Sequence, residues 1–458
     1  MNIAHDEQTI IAQCTPKGTG ALALLRISGT DAVGIADKIS KLASGKPLYD
    51  QPTHTVHYGF VLDDQRKPID QVMFIVMRAP RTFTGQHTVE ITCHNNPFII
   101  EAIIVQAIIA GARLAQEGEF TKRAVQNNKI DLLQAEAINE LINANTQQAL
   151  KQSLSQLEGS FSSWILNIEK DLIKAFAFTQ ASFEFIDEEM EFGPQIKLII
   201  LDVINTIGSI KRTFTQQQHI RQGFRIALIG AVNAGKSSLF NAILNKKRAI
   251  VTNIAGTTRD AIEAGIYKTN NYWTLVDTAG LRQTDDAIEQ EGIIRSHAEA
   301  HQADIILLVV DQARAMIDQE RMVYEDLINR YSHKIIVVLN KADIPSVLTH
   351  HLSLKASITV SSTSRNNIEE LEHLIEEKIA HLLAQSDAPF LLNQRQYNLL
   401  IGLEQKLNNV LTMFEGIVEY EILAYHLNEA IAQLTELTGK TISEQGMDAV
   451  FREFCVGK

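Results

Sequence analysis

The sequence predicts a multidomain protein that combines α/β and all-α architecture. Near the middle of the 458-residue chain, a short apolar strand runs straight into a glycine-rich phosphate loop. Helix-forming sequence, with apolar residues at intervals of three and four, lies on both sides of that region. The first part of the chain instead mixes strand-like and helix-like segments, as an α/β domain does. We therefore expect an N-terminal α/β domain, a helical bundle and an inserted Ras-like P-loop domain.

Residues 1–118 are predicted to form the N-terminal α/β domain. Residues 9–29 are typical of a strand, a glycine-rich turn and a second strand, and 58–62 and 72–77 are typical of two further strands. Helices are predicted over 31–42 and 96–111, the second ending at its terminal glycine.

Residues 119–215 and 383–458 are predicted to form one helical bundle in two parts. Apolar residues recur at intervals of three and four residues in both parts. The segments are 134–144, 148–157, 161–178 and 196–210 in the first part, and 397–414 and 418–437 in the second. Gly439 is expected to stop the helix over 418–437. Because two helical blocks flank residues 216–382, we expect that domain to be inserted into the bundle. Only 215–223 and 386–389 have the composition of a flexible linker.

The inserted domain carries the spacing G-x-x-x-x-G-K-S from Gly230 to Ser237. Its glycines let backbone N–H groups turn onto phosphates, and the following helix points its positive end at them. Lys236 reaches the terminal phosphates, and Ser237 supplies an oxygen for magnesium. A chance glycine turn is the alternative, but the preceding strand and the motifs that follow disfavour it.

Two further motifs, each after a predicted strand, identify the nucleotide as GTP. Asp277-Thr-Ala-Gly280 places a carboxylate near the magnesium and a glycine N–H near the γ-phosphate. The carboxylate of Asp343, in Asn340-Lys-Ala-Asp343, can accept both N1–H and N2–H of guanine, a pair of donors that adenine lacks. The residues expected to bind GTP are Asn233, Ala234, Gly235, Lys236, Ser237, Ser238, Thr252, Asn253, Ile254, Ala255, Gly256, Thr257, Thr258, Asp277, Thr278, Ala279, Gly280, Asn340, Lys341, Asp343, Ser361 and Ser362, with Ser237 and Thr258 on magnesium.

Leu281 stands where Ras-like GTPases hold the glutamine that orients the attacking water. A hydrolytic helper must therefore come from elsewhere. Residues 252–260 resemble the first switch of the potassium-activated GTPases, and Asn233 agrees with that resemblance. It implies a potassium ion held by Asn233, Thr252, Ile254 and Thr257; for Asn233 the alternative is ordinary turn chemistry.

Read from end to end, the chain resembles the MnmE (TrmE) family of tRNA-modification GTPases. The matching motifs are Gln8-Thr-Ile-Ile-Ala-Gln, Thr15-Pro-x-Gly18-x-Gly20, Leu25-Arg-Ile-Ser-Gly29, Gly118-Glu-Phe-Thr-Lys-Arg-Ala124, Lys129-Ile-Asp-Leu-Leu-Gln-Ala-Glu-Ala137, Gly256-Thr-Thr-Arg-Asp260, Asp277-Thr-Ala-Gly-Leu-Arg282 and Cys455-Val-Gly-Lys458. They span all three predicted regions.

The resemblance implies a folate-binding-like N-terminal domain that dimerises and holds 5-formyl- or 5,10-methylene-tetrahydrofolate as one-carbon donor. Arg26, Glu90, Lys129 and Lys458 match the family's folate contacts, and their charges suit a glutamate tail and a pterin ring. The family works with the flavoprotein MnmG (GidA), in a heterotetramer or larger assembly, on C5 of the wobble uridine of certain tRNAs. There it installs an aminomethyl or carboxymethylaminomethyl group. GTP, Mg²⁺ and K⁺ are the other implied cofactors.

The chain departs from the family's usual motifs at three places. Residues 85–87 are Gly-Gln-His where the family has Gly-Glu-Asp, and residues 94–96 are His-Asn-Asn where it has His-Gly-Gly. Residues 361–363 are Ser-Ser-Thr in place of Ser-Ala-Arg or Ser-Ala-Lys. The first two changes flank Glu90, so the folate pocket is expected to be rebuilt locally.

Three residues are candidates for catalysis: Lys236, Glu289 and Cys455. Glu289 lies where the family carries its catalytic glutamate, with Asp285, Asp286 and Glu291 as competing carboxylates. Cys455 is either a nucleophile toward C6 of uridine or a small residue that packs the last helix. Both interpretations stay open.

Composition excludes several classes of protein. The net charge of −12 argues against a general basic coat for nucleic acid, and three scattered cysteines make neither a disulfide framework nor a zinc site. No segment has the length of a membrane span, so we expect a cytoplasmic protein. A ribosome-assembly GTPase that only binds RNA is the alternative function, but such proteins usually add a basic module.

Overall fold

The computed structural model describes residues 8–184, 192–244, 262–268, 271–277, 297–347, 357–384, 389–415 and 418–457. The chain divides into two compact units. One comprises Met1–Asn139, Leu154–Ile207 and Gln394–Lys458, and the other Glu140–Ser153 and Gly208–Asn393. Over the described residues, no helix combines the length and apolarity needed to cross a membrane.

The N-terminal part of the first unit is a sheet covered on one face by helices. In the described residues its strands are β1 (Ile10–Gln13), β2 (Leu22–Ser28), β3 (Ser40–Leu42), β4 (Thr55–Leu62), β5 (Pro68–Met77), β6 (Thr88–His94) and β7 (Arg113–Leu114), in the order β3-β4-β5-β6-β2-β1-β7. Helices α1 (Ala32–Lys38) and α2 (Pro97–Ile109) pack on the face that buries Leu25, Phe74 and Ile91. The opposite face leaves apolar side chains of β4 and β5 exposed.

The predicted strands at 58–62 and 72–77 are confirmed as parts of β4 and β5. The predicted helix over 31–42 is wrong beyond Lys38, where α1 ends. Ser40–Leu42 instead pairs antiparallel with β4 and buries Leu42. Tertiary pairing therefore overrides a helical pattern that local sequence favours.

Five helices follow in chain order: α3 (Glu119–Gln126), α4 (Leu132–Ile142), α5 (Gln147–Leu157), α6 (Ser160–Glu184) and α7 (Gly193–Gln222). The predicted periodicity is confirmed in the longest of them. The buried apolar residues of α6 are Phe161, Ile165, Ile168, Leu172 and Ala175, and those of α7 as far as residue 210 are Ile196, Ile200, Val203, Ile207 and Ile210. In each helix the buried residues are spaced alternately by four and three positions. They therefore lie on one face of the helix, and that face is buried in a core.

The expected linker at 215–223 is wrong, because α7 continues through Gln222. Polar composition suggested a loop, but the buried stripe of the helix persists at Gln217 and Ile220. The side-chain oxygen of Gln217 accepts a hydrogen bond from the Leu392 N–H at 2.8 Å. Gln217 thus occupies a buried position of the helix where an apolar residue is usual, and its hydrogen bond to the backbone satisfies its side-chain oxygen.

The second unit contains a mostly parallel sheet with helices on both faces. Its described elements are β8 (Phe224–Ile229), α8 (Lys236–Leu244), β9 (Ile262–Lys268), β10 (Asn271–Asp277), β11 (Ile305–Asp311), α9 (Asp318–Tyr331), β12 (Ile335–Asn340), β13 (Ser357–Thr359) and α10 (Ile368–Ala384). The strand order is β13-β12-β11-β8-β10-β9, and of these strands only β9 runs antiparallel to its neighbour. Helices α8 and α10 cover one face and α9 the other. The carboxyl ends of β8, β10, β11 and β12 share one edge, where α/β sheets bind ligands.

The last part of the chain returns to helix with α11 (Gln394–Thr412), α12 (Tyr420–Leu437) and α13 (Glu444–Phe451). Helix α12 packs against both α6 and α11. It stops just before Gly439, whose φ of 82° is the left-handed conformation of a helix C-cap. Arg395 of α11 donates to both carboxylate oxygens of the buried Glu136 of α4, at 2.7 and 2.8 Å, so the two helical parts are joined by an ion pair.

Candidate functional site

The phosphate loop joins the end of β8 to the start of α8, in the predicted order. Asn233 and Gly235 have φ values of 63° and 91°, both in the left-handed region. A Cβ at Gly230 would lie 2.2 Å from the Val309 oxygen, and one at Gly235 would lie 2.2 Å from Asn340 Nδ2. Only glycine fits at these two positions, so the first and last glycines of the motif are explained by close packing of the loop.

Lys236 lies at the first position of α8 and is 5% exposed. Its Nζ donates to the backbone oxygens of Gly230 and Ala231 at 2.7 and 2.8 Å. Burial lowers the pKa of Lys236, and the negative charge of Asp277 acts in the opposite direction. The ammonium is thus held over the loop where a phosphate would lie.

Asp277 ends β10 and is 1% exposed. It pairs in register with Leu228 of β8, so its carboxylate lies beside the start of the phosphate loop. Ser237 follows Lys236 in the first turn of α8. A hydroxyl and a carboxylate at this position suit a magnesium ion that completes its shell with phosphate oxygens and water. The described residues hold no group of three or more His, Cys, Asp or Glu that could bind a metal by itself.

Asn340 connects the phosphate loop with the loop that follows β13. Its Nδ2 donates to the Ala234 oxygen at 3.0 Å, and its Oδ1 accepts from Ser362 N at 3.2 Å and from Ser362 Oγ at 2.8 Å. Asn340 is 2% exposed. The serine at position 362, a departure from the usual family motif, therefore supplies a second hydrogen bond to this asparagine.

Asp343 lies exposed at the same edge of the sheet. Ser361 Oγ donates to Asp343 Oδ1 at 2.6 Å, and this hydrogen bond is the main reason that the pKa of Asp343 lies below its ordinary value. An ionised carboxylate at neutral pH is what paired N–H donors of guanine require. The structure thus brings Ser361, Ser362, Asn340 and Asp343 together.

Several predicted site residues lie outside the described residues. They are Thr252, Asn253, Ile254, Ala255, Gly256, Thr257 and Thr258 of the first switch, Thr278, Ala279, Gly280 and Leu281, the carboxylates Asp285, Asp286, Glu289 and Glu291, and the terminal Lys458.

Arg26 and Glu90 occupy register-paired positions on β2 and β6 of the N-terminal sheet. Arg26 Nε donates to Glu90 Oε1 at 2.8 Å, and the Arg26 guanidinium carbon lies 5.5 Å from the centre of the Phe120 ring of α3. Both side chains are partly exposed. The pair fixes one oxygen of Glu90, and the carboxylate retains lone pairs for an external N–H donor.

The C-terminal tail returns to this domain. Val456 forms an antiparallel bridge with Glu117, and the Gly118 N–H donates to the Cys455 oxygen at 3.4 Å. A Cβ at Gly457, whose φ is 94°, would lie 2.3 Å from the Gln13 oxygen. The glycine of the terminal Cys-x-Gly-Lys motif therefore permits a close approach to the end of β1.

The cysteines differ in their surroundings. Cys455 is exposed and Cys14 is half-buried. Cys93 is buried, and burial, reinforced by Asp70, raises the pKa of its thiol to about 11. Cys93 is thus a thiol at neutral pH, whereas Cys455 is exposed to solvent.

Lys129 lies in the connection between α3 and α4. A Cβ at Gly85 would lie 3.5 Å from Cγ and Cδ of Lys129, so the lysine stem passes the loop before β6. Asn127 Nδ2 donates to the Thr84 oxygen of the same loop at 2.6 Å. The structure therefore places Lys129 beside the segment that leads into Glu90.

A buried ionic network that the sequence did not predict supports this loop. Glu119 of α3 accepts from Arg113 at 2.6 and 2.8 Å and from Arg123 Nη2 at 2.8 Å. Arg123, 4% exposed, also donates to Gln86 Oε1 at 3.0 Å and to the Gln8 oxygen at 2.8 Å. Burial alone raises the pKa of Glu119, but hydrogen bonds from Arg113, Gln116 N–H and Arg123 outweigh it and lower the pKa.

The other family departures near Glu90 also have structural partners. Asn95 Nδ2 donates to the Gly18 oxygen at 2.8 Å, and Asn96 caps α2 by accepting from the Phe98 N–H at 3.0 Å. His94 Nδ1 lies 2.8 Å from Asp70.

Comparison with known proteins gives consistent matches over nearly the whole chain. A family model described as the MnmE helical domain matches residues 132–455, and one described as the GTP-binding protein TrmE N-terminus matches residues 9–129. Relatives named tRNA modification GTPase MnmE, from Bacillus thuringiensis (strain Al Hakam) and Bacillus cereus (strain ATCC 10987 / NRS 248), are each 36% identical over 462 aligned residues, covering 98% of this chain and 99% of theirs. Among solved structures, the G domain of the T. maritima FeoB iron transporter is 25% identical, with a TM-score of 0.25, covering 35% of this chain and 98% of that one.

Proposed function

Because this chain belongs to the MnmE family of tRNA modification GTPases, we propose that it hydrolyses GTP in order to modify the wobble uridine of certain tRNAs. The modification is a carboxymethylaminomethyl or aminomethyl group on C5 of uridine 34. It is made together with the flavoprotein MnmG, and a tetrahydrofolate supplies the one-carbon unit. The observation that carries the proposal is the nucleotide site, in which phosphate-binding and guanine-binding residues meet at one sheet edge.

In the nucleotide site, each group has a separate task. The phosphate loop and Lys236 bind the β- and γ-phosphates, and the buried ammonium acts on them with little screening by water. Ser237 and Asp277 would orient a magnesium ion, which supplies positive charge to the phosphates when bound. Asn340 fixes the loop geometry while Asp343 accepts the guanine N–H groups. Ser361 orients that carboxylate through its hydrogen bond to Oδ1.

A monovalent cation beside the phosphate loop is part of the proposal. Asn233 stands in the left-handed conformation in the loop, next to the positions that would carry phosphates. A side-chain amide oxygen is a suitable ligand for a hard cation. Together with Thr252, Ile254 and Thr257, Asn233 would hold potassium where other GTPases use an arginine finger.

The N-terminal site supports binding of a folate. Arg26 orients Glu90, whose free lone pairs suit the N–H groups of a pterin ring. Lys129 and the terminal Lys458 offer positive charge for the glutamate tail. The approach of the C-terminal tail to β1 and to Glu117 brings Cys455 to the same domain. As a nucleophile, its thiolate would add to C6 of the uridine and so activate C5 for bond formation.

We also propose that the N-terminal domain forms a homodimer. The face of the sheet opposite α1 and α2 exposes Val56, Tyr58 and Met73 by 56, 46 and 40%. Tyr58 and Met73 are register partners on adjacent strands, so they form a continuous apolar surface. Such surfaces typically belong to interfaces. Tyr58→Glu should shift the protein from dimer to monomer in light-scattering measurements, whereas the change Gln65→Glu in an exposed turn should not.

The deciding experiment is mass analysis of wobble uridines in cells that lack the gene. We expect the C5 modification to disappear and to return with the wild-type gene but not with Lys236→Ala or Arg26→Ala. Unchanged wobble uridines in the deletion strain would contradict the proposed function and favour a regulatory GTPase. Cys455→Ala is tested in the same strain, where full modification would exclude the nucleophile role of Cys455.

A further inference from the structure

Asp311 is a buried carboxylate next to the guanine-binding residues, and the functions proposed above do not use it. It ends β11 and is in register with Asn340 of β12, so the two side chains leave neighbouring strands at the same edge. The Asp311 side chain is 5% exposed. A carboxylate buried to this extent requires charged or hydrogen-bonding partners.

Lys341 is the principal charged partner of Asp311 among the described residues. Lys341 Nζ lies 2.6 Å from Asp311 Oδ2, and Asp311 Oδ1 accepts the Ala313 N–H at 2.9 Å. Arg314 lies farther away, with Nε 3.8 Å from Asp311 Oδ2. The Arg314 guanidinium instead donates to Glu320, from Nη2 at 2.5 Å and from Nη1 at 3.0 Å. This interaction is the main reason that the pKa of Arg314 is raised.

This ion pair determines the path of the Lys341 side chain. The backbone of Lys341 has a φ of 69°, an unusual conformation for a lysine, and turns the chain between Asn340 and Asp343. With its ammonium held at Asp311, the methylene stem runs from the Asn340–Asp343 turn toward the end of β11. A guanine bound to Asp343 would present its flat apolar face to this region, and a lysine stem covers such a face well.

We propose that Asp311 is a positioning residue for the guanine nucleotide, which acts by holding the Lys341 side chain across the face of the base. The inference rests on the proposed binding of GTP. Without Asp311 the Lys341 side chain gains rotamer freedom in the free protein. Binding of the nucleotide must then order this side chain, which costs conformational entropy. The nucleotide then dissociates faster, while the Asp343 contacts that select guanine stay in place.

The test measures dissociation of a fluorescent GDP derivative from the full-length protein. Asp311→Asn is the central variant, because asparagine keeps the shape and the acceptor for Ala313 N–H but loses the charge. We expect dissociation to become about tenfold faster, as for loss of a charged hydrogen bond. KM for GTP should rise in proportion while kcat changes little, and the preference for GDP over xanthosine diphosphate should remain.

A second variant distinguishes positioning from a general effect on folding. Lys341→Met keeps the apolar stem and removes the ammonium, so this change alone should accelerate nucleotide dissociation. In the Lys341→Met background, adding Asp311→Asn should change the dissociation rate very little. Arg330→Gln, which breaks the exposed ion pair with Asp326 on α9 and does not involve Asp311, is the control and should leave dissociation unchanged. If Asp311→Asn is equally harmful in the Lys341→Met background, Asp311 acts through the backbone and the inference is wrong.

The outcome is separable from the proposed function. If the wild-type protein does not bind GDP, the proposed GTPase function fails. If the wild type binds GDP and Asp311→Asn dissociates at the wild-type rate, only the positioning role is overturned.

Discussion

Asn340 Nδ2 donates to the backbone oxygen of Ala234 at 3.0 Å, which joins the guanine-recognition motif to the phosphate loop. The same side chain accepts from both the N–H and the hydroxyl of Ser362. One buried amide therefore holds three loops that are far apart in sequence. The phosphate loop and the base-binding residues depend on each other through this residue.

Asn340→Ala should weaken nucleotide binding and destabilise the phosphate loop together. It removes three hydrogen bonds and leaves the Ala234 oxygen without this buried donor, which costs on the order of 1–3 kcal/mol. GDP affinity and thermal unfolding with and without nucleotide would measure the effect. Asn408→Ala, at an exposed helical asparagine, is the control. Unaltered GDP affinity in Asn340→Ala would show that the connection is dispensable.

The second prediction concerns the monovalent cation. Potassium should accelerate GTP hydrolysis and sodium should not, and Asn233→Ala should remove the acceleration. Because alanine also strains a backbone with a φ of 63°, Asn233→Gly is needed as a companion that tolerates this conformation. If the glycine variant retains the potassium effect, the Asn233 side chain is not a ligand. Equal wild-type rates in both salts would contradict the cation site altogether.

The third prediction is a pH dependence of stability that arises from Glu119. Hydrogen bonds from Arg113 and Arg123 help lower the pKa of Glu119 below its ordinary value. The ionised carboxylate therefore adds to the free energy of unfolding above the unfolded-state pKa of about 4.3. This stabilisation is lost as the pH falls through the lower folded-state pKa. Glu119→Gln should therefore be less stable than wild type at pH 7, and the gap should narrow below about pH 4. Glu117→Gln, at the exposed neighbour, is the control. A gap that is constant from pH 7 to pH 3 would exclude the ionised carboxylate as its cause.

The nucleotide site could be predicted from sequence because its chemistry is local. Each motif supplies its ligands within a few residues and follows a strand, so parallel pairing alone brings Asp277 and Asn340 to the edge that carries the phosphate loop. The role of Asn340 as a connection between loops was not predicted, since its partner Ala234 is distant in sequence. Asp311 was missed because it ends a strand without any motif spacing of its own, and its partner Lys341 is 30 positions away.

The N-terminal site was predictable only by resemblance. Arg26 and Glu90 are 64 positions apart, and no periodicity indicates that antiparallel register places them opposite each other. Arg123 resembles any charged residue of an amphipathic helix, yet it is buried against Gln86 and Gln8. The error at 40–42 has the same origin, because strand pairing with β4 is a long-range effect that local propensity does not encode.

The last prediction concerns hydrolysis. Leu281 cannot orient water, so we expect a carboxylate later in the second switch to do so, and the resemblance to the family assigns this role to Glu289. We expect Glu289 to position the attacking water through a bridging water, without removing its proton directly. Glu289→Ala should slow single-turnover hydrolysis on the order of a hundredfold and leave GTP affinity nearly unchanged, because the bound ground state does not depend on this group.

Asp286→Ala is the matched variant, since it removes a carboxylate from the same polar segment three positions earlier. It should hydrolyse GTP at close to the wild-type rate. A large loss in Asp286→Ala together with normal hydrolysis in Glu289→Ala would mean that the register carried over from the family is wrong. A loss of GTP affinity in Glu289→Ala would instead assign this residue to binding, because a group that only positions water contributes to the transition state and not to the bound ground state.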